Sequence, residues 1–218
     1  MTRVYFVFAL ALTVAAWAAA FIAYPHLSQQ VPIHWNIRGE VDGYGDKNWA
    51  TFLSPAVMVG LLFLFRLLPW LSPKAFSLDA FRGTYEFVVA LVMGLMAYIH
   101  GLTLWAAFGE PVDVSRALLG GICLFFALMG NVMGKVRRNF FMGVRTPWTL
   151  ASERVWIDTH RLAARLFVAA GLIGFVLCLV LPGPVAFVAA FALIMIGALA
   201  PVIYSLVHYK RLEREGLA

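Results

Sequence analysis

Six apolar runs, each nearly free of charge, divide this 218-residue chain at about 4–24, 50–71, 87–108, 114–133, 161–181 and 184–207. About 20 apolar residues in a helix span the hydrocarbon of a bilayer. Lipid offers no partner to an open backbone N–H or C=O, so each run has to be helical. Hydrophobic residues make up 62% of the chain and charged ones 13%, against about 45–50% and about 25% in soluble domains. That excludes a soluble globular domain, and with it disorder and a collagen-like or disulfide-rich scaffold. The expectation is an all-α membrane protein: one bundle of six transmembrane helices. Pro182-Gly183-Pro184 makes a tight turn, so the last two helices are antiparallel neighbours. Gly109 to Asp113 does the same for the third and fourth, and Pro69 and Pro73 bracket the end of the second. Arg3 ahead of an apolar run with Ala18-Ala19-Ala20 has a signal-peptide look, but the run is longer than the roughly 7–15 residues of a secretory core. A retained span is expected.

Charge gives an orientation. With the N-terminus inside, only Arg38, Lys47 and Arg116 fall outside, and the remaining 14 of the 17 Lys and Arg residues fall inside. Such asymmetry is the positive-inside signal, so both termini are expected in the cytoplasm (N-in/C-in). The outer side also carries Glu40, Asp42, Asp46, Glu110 and Asp113, which makes it net acidic. Tyr24, Trp49, Trp70, Trp105 and Tyr204 fall near span ends, where an interfacial aromatic belt belongs. Cys123 and Cys178 lie in apolar runs without metal-ligand spacing and read as reduced packing residues.

Two loops carry the chemistry. The outer loop, 25–49, centres on Val31 to Lys47. Val31 to Ile37 alternates as a short strand does, Asp42-Gly43 is a strong turn dipeptide, and Gly39, Gly43 and Gly45 permit tight turns. A compact, hairpin-like extracellular cap is expected. His34, Glu40, Asp42 and Asp46 match no metal motif. They leave a hydrogen-bonded loop, with Trp35 and Trp49 on the interface, or recognition of an external ligand. The inner loop, 131–161, begins with Lys135, Arg137, Arg138 and Arg145. Such a set serves topology and lipid headgroups; no Walker or GxGxxG pattern accompanies it to mark a nucleotide site. Thr146 before Pro147 is biased to extended backbone, and Thr149 or Ser152 can cap the helix that follows. Val155, Trp156, Thr159, Leu162, Ala163 and Leu166 form a helical stripe, so 152–160 reads as a cytoplasmic amphipathic helix running into the fifth span. Asp158 can pair with Arg154 or Arg161, with His160 close by as a structural histidine. His100, with Thr103 one turn on, is the most polar group inside a span; its expected role is a hydrogen bond to a neighbouring helix. Arg66 lies near the inner end of the second span and can snorkel.

At these loops the chain resembles a known family. Gly130-Asn131, Gly134-Lys135, Arg137, Asn139, Phe141, Gly143, the run Arg145-Thr146-Pro147-Trp148-Thr149-Leu150, Ser152-Glu153, Trp156 and Thr159-His160-Arg161 are similar to the signature of the SdpI family of multi-pass membrane proteins. Pro32-Ile33-His34-Trp35-Asn36, Gly39, Asp42-Gly43-Tyr44-Gly45 and Lys47 resemble the short domain of unknown function that often precedes it. Arg138 departs from the pattern, since relatives commonly carry proline there. The resemblance implies a bacterial inner-membrane protein that resists a secreted sporulation-delay peptide toxin, with a cytoplasmic regulator as a further partner. It divides the chain into a two-helix unit, 1–71, and a four-helix unit, 72–218.

The candidate binding residues are therefore His34, Trp35, Asn36, Gly39, Glu40, Asp42, Gly43, Tyr44 and Lys47 outside. Inside they are Asn131, Lys135, Arg137, Asn139, Gly143, Arg145, Thr146, Pro147, Trp148, Trp156, His160 and Arg161. No catalytic residue, metal, cofactor or direct nucleic-acid contact is expected. The expected partners are the lipid bilayer, an extracellular peptide and a cytoplasmic regulator. Two other readings stay open: a small-molecule or ion transporter lined by His100, Thr103 and Asn131, and a membrane hydrolase of peptide or lipid built on His26, His34 and Asp42.

Overall fold

The computed structural model describes residues 2–109 and 112–217, so Glu110 of the acidic outer set lies outside the described residues. In chain order the elements are α1 (Thr2–Ala23), β1 (Gln30–Trp35), β2 (Val41–Asp46), α2 (Lys47–Leu71), α3 (Arg82–Ala107), α4 (Val114–Met133), α5 (Pro147–Ala151), α6 (Glu153–Val180) and α7 (Gly183–Arg214). Six of the helices are long and apolar enough to cross a membrane: α1, α2, α3, α4, α6 and α7. The six-helix membrane fold read from the sequence stands, with one small antiparallel strand pair added in the outer loop.

α1, α2 and α3 pack on one another, with α1 mainly against α3, while α4, α6 and α7 form a second group joined to the first through α3 and α4. Met58, Met93, Trp156 and Phe167 belong to the continuous buried core. Large apolar side chains such as Phe21, Phe63, Leu179 and Ile203 point outward, as lipid-facing side chains do. Lipid tails are as apolar as the core, so association rests on close packing and on hydrogen bonds between helices. Both are present. Gly130 of α4 has the backbone nitrogen of Val168 only 2.7 Å from where a Cβ would sit, and Gly171 of α6 has the carbonyl of Cys123 at 2.4 Å. The two backbones meet there with no side chain between them. His100 Nε2 lies 3.2 Å from the Ala16 carbonyl and ties α3 to α1, as expected of it. Cys123 and Cys178 are free and buried.

Proline creates one further bond. Pro69, inside α2, has no N–H to offer the carbonyl four residues back. That carbonyl belongs to Phe65, and the Tyr85 hydroxyl of α3 donates to it at 2.5 Å.

The hairpin corrects the expected turn. Asp42-Gly43 lies within β2, and the chain reverses over residues 36–40 instead. The Asn36 carboxamide decides the matter: its oxygen accepts from the backbone N–H of Arg38 at 2.8 Å and of Glu40 at 3.2 Å. Such a side-chain-built turn needs one left-handed residue, and Gly39, at φ 81°, supplies it. Gly43 and Gly45 are not turn glycines. Gly43 faces His34 across the ladder, where a Cβ would stand 2.9 Å from that of His34.

At the inner end the helix expected over 152–160 does run into the span: it begins at Glu153 as the first turns of α6. Ser152 occupies its N-cap position without a side-chain bond, and Thr149 belongs to the separate short helix α5.

Candidate functional site

The candidate residues gather at two ends of the bundle. α3 runs from one end to the other, and its 26 residues at ~1.5 Å each separate the ends by about 39 Å.

At the outer end the hairpin is seated on the bundle by polar bonds. Ser115, in the first turn of α4, donates to the Asn36 carbonyl at 2.8 Å. Lys47 Nζ donates to the Leu27 carbonyl at 3.1 Å and lies 4.4 Å from the centre of the Tyr24 ring. Asn36 Nδ2 also donates to Glu40 at 2.8 Å. Asn36, Gly39, Gly43 and Lys47 thus shape the loop. His34, Glu40, Asp42 and Tyr44 remain exposed, as does Trp49 at the start of α2, and Trp35 is half-buried. His34 Nδ1 and Asp42 Oδ1 are 2.5 Å apart across the two strands. Asp46 caps α2, and hydrogen bonds from the Asn48 backbone N–H and then its side chain hold the carboxyl below the usual carboxylate range. A small cavity of about 240 Å³ lies beneath the hairpin, lined by His34, Trp35, Thr103 and Ser115 among others. The outer end can therefore offer carboxylates and aromatic faces on a held frame.

The inner end is built differently. Asn139 is fully buried and uses its whole carboxamide: Nδ2 donates to the carbonyls of Arg137 (2.8 Å) and Met142 (3.1 Å), and Oδ1 accepts from the backbone of Phe141 (2.7 Å) and Met142 (2.8 Å). His160 is equally consumed. Its Nε2 accepts from the Val144 N–H at 3.0 Å, which places the ring proton on Nδ1, 2.7 Å from the Trp156 carbonyl. The imidazole stacks on Trp156 with ring centres 4.0 Å apart, and the Trp156 indole donates to the Val136 carbonyl at 2.8 Å. Thr146 and Thr149 cap α5 reciprocally, and Pro147 opens it. Trp148 Nε1 donates to Ser205 of α7 at 2.5 Å. Arg145 donates to the Phe140 carbonyl. Arg138 donates to the Leu150 carbonyl at 3.1 Å and lies over Phe76 of the α2–α3 loop. Residues 136–149 thus close into a collar that binds itself to α6 and α7. Lys135, Arg137 and Arg161 stay exposed, and Asn131 is exposed on the last turns of α4.

Three partners escaped sequence reasoning: Ser115, Ser205 and His208. Asp158 pairs with Arg161 at 3.9 Å, one of the two expected options, but its nearer partner is His208 Nε2 at 3.0 Å. His160 faces the collar and takes no part. The signal for Ser205 and His208 lay in α7, where they interrupt an otherwise apolar helix three residues apart, on one face. Ser115 carried none.

A bundle of six membrane-spanning helices with a held hairpin at one end and a self-bonded collar at the other defines a polytopic membrane protein whose two ends are built differently. Residues 135–205 match the SdpI/YfhL protein family, and residues 11–59 match a domain of unknown function, DUF1648. Along the chain, the SdpI/YfhL match thus lies behind the DUF1648 match. It is similar to the immunity protein SdpI of Bacillus subtilis (strain 168), at 26% identity over 199 residues that cover 91% of this chain and 92% of that protein. No solved structure matches.

Proposed function

We propose that the protein is a bacterial inner-membrane immunity protein whose outer hairpin receives an extracellular, membrane-active peptide. The name of the Bacillus relative supports immunity. One observation carries the location: the hairpin candidates keep exposed carboxylates and aromatic faces, whereas Asn139, Thr146, Trp148, Trp156 and His160 at the collar spend their polar groups on the fold. Glu40, Asp42 and Asp46 beside Tyr44 and Trp49 suit a cationic, amphipathic peptide lying in the interface. The asymmetry of Lys and Arg supports this end as the external one, with both termini in the cytoplasm. Lys135, Arg137, Arg154 and Arg161, exposed around the collar, are then the surface that a cytoplasmic regulator would meet.

The transporter reading finds little support. A cavity of about 810 Å³ is walled mainly by apolar side chains such as Leu91, Leu95, Leu124 and Phe125, with Asp113 and Arg116 also in its lining, and His100 is bound to α1. A hydrolase built on His26, His34 and Asp42 also lacks its constellation, since His34 pairs with Asp42 and not with His26.

The test is survival and membrane potential in a susceptible bacterium challenged with a sporulation-delay-type peptide. The expected result is protection by the wild type. It should fall sharply in a Glu40→Gln, Asp42→Asn, Tyr44→Ala variant that reaches the membrane in equal amount. Undiminished protection by that variant would remove the hairpin from the mechanism, and no protection by well-expressed wild type would remove immunity.

A further inference from the structure

At the collar end a second cavity, of about 560 Å³, opens between α1, α2 and α3. Phe6, Val7 and Val89 form its apolar wall, and Arg66, Arg82 and Glu86 its polar rim. Arg82 Nε meets Glu86 Oε1 at 3.1 Å, but the second carboxylate oxygen, Oε2, is buried without a hydrogen-bond partner, on a side chain only 15% exposed. A buried, half-satisfied carboxylate is costly unless something donates to it. Arg66, exposed on the next helix, forms no ion pair among the described residues. Tyr85 is already occupied by the carbonyl that Pro69 releases. The cavity thus presents one cation without an anion, one carboxylate oxygen without a donor, and an apolar slot leading away from both at the depth of a span end.

We infer that this cavity holds one phospholipid whose headgroup bears a primary ammonium, of the phosphatidylethanolamine type. The phosphate faces Arg66, the ammonium donates to Glu86 Oε2, and an acyl chain lies along Phe6, Val7 and Val89. A quaternary ammonium cannot donate that hydrogen bond, and an anionic glycerol headgroup would bring no cation to Glu86. The inference is independent of peptide binding at the hairpin.

The test uses the purified full chain, stripped of lipid and exposed to vesicles in which phosphatidylglycerol is mixed with either phosphatidylethanolamine or phosphatidylcholine. Native mass spectrometry then reads the retained lipid. The wild type should keep phosphatidylethanolamine about tenfold over phosphatidylcholine, the order of one hydrogen bond to a charged group. Glu86→Gln should erase that ratio. Arg66→Gln should lower retention of both lipids, and Arg66→Lys should restore it. Equal retention of the two lipids by the wild type, preferential retention of phosphatidylglycerol, or an unchanged ratio in Glu86→Gln would each overturn the assignment. The wild-type comparison needs no variant to fold.

Discussion

Gly143 has room for a hydrogen and nothing larger. Its φ is 103°, and a Cβ would stand 2.2 Å from His160 Nε2. Gly143→Ala is therefore expected to cost more than the roughly 1–3 kcal/mol of a strained backbone alone, because it also displaces the ring that accepts from Val144. A thermal melt in detergent, followed at Trp156, should show a clear loss of stability. Asn139→Asp makes a sharper chemical test of the same collar. The volume is nearly unchanged, but two donors become acceptors facing the carbonyls of Arg137 and Met142. A loss of about 2–4 kcal/mol follows from two broken bonds and two carbonyls left unsatisfied, and a melt indistinguishable from wild type would contradict the bonding described. At this scale the sequence was legible in kind and misleading in role. Trp148, Trp156 and His160 stood out as a motif, yet what they touch is backbone and Ser205. Backbone partners leave no mark in side-chain spacing, so a folding constellation and a binding constellation look alike before the fold is known.

The helices show where periodicity suffices and where it fails. Six apolar runs located six spans because lipid leaves the backbone no alternative, and the stripe from Val155 to Ala163 fixed the buried face of α6. The hairpin turn was misplaced because Asp42-Gly43 and Asn36 through Gly39 both suit a turn. The Asn36 carboxamide and Gly39 make the turn, and Ser115, far away in sequence, holds the Asn36 carbonyl. Pro69 and Pro73 do bracket the end of α2, at Leu71, and Tyr85 takes up the carbonyl that Pro69 releases. Tyr85→Phe should thus loosen α2 from α3 by about 0.6–1.7 kcal/mol, the range for hydrogen bonds between membrane helices, measurable by chemical unfolding in mixed micelles. The first turn of α2 should respond to acid. Since the Asp46 carboxyl is held below its ordinary range, its stabilisation is complete above that range and is lost as the pH falls through the lowered value. Trp49 fluorescence should report fraying there in acid. Asp46→Asn, which still caps, should abolish the acid step.

Across the whole molecule, two helix groups meet at α3 and α4, with a hairpin that keeps exposed polar and aromatic groups at one end and a largely self-bonded collar at the other. Six spans put both termini on one side, and the orientation proposed above from the charge asymmetry makes that side the cytoplasm. A cysteine placed at Tyr44 should react with a membrane-impermeant thiol reagent added outside intact cells, while one placed at Glu213 should react only after permeabilisation; the buried Cys123 and Cys178 keep the background low. The reverse pattern would invert the orientation. The collar has one more consequence. Nearly every polar atom in it is committed to holding the chain's own shape, so its letters are spelled by architecture rather than by any ligand. On the proposed function, chains that carry the run Arg145-Thr146-Pro147-Trp148 are expected to share a scaffold while differing in the peptide they meet. The record of what each one has met is to be sought in the exposed half of the hairpin, where a change of letter leaves the scaffold standing.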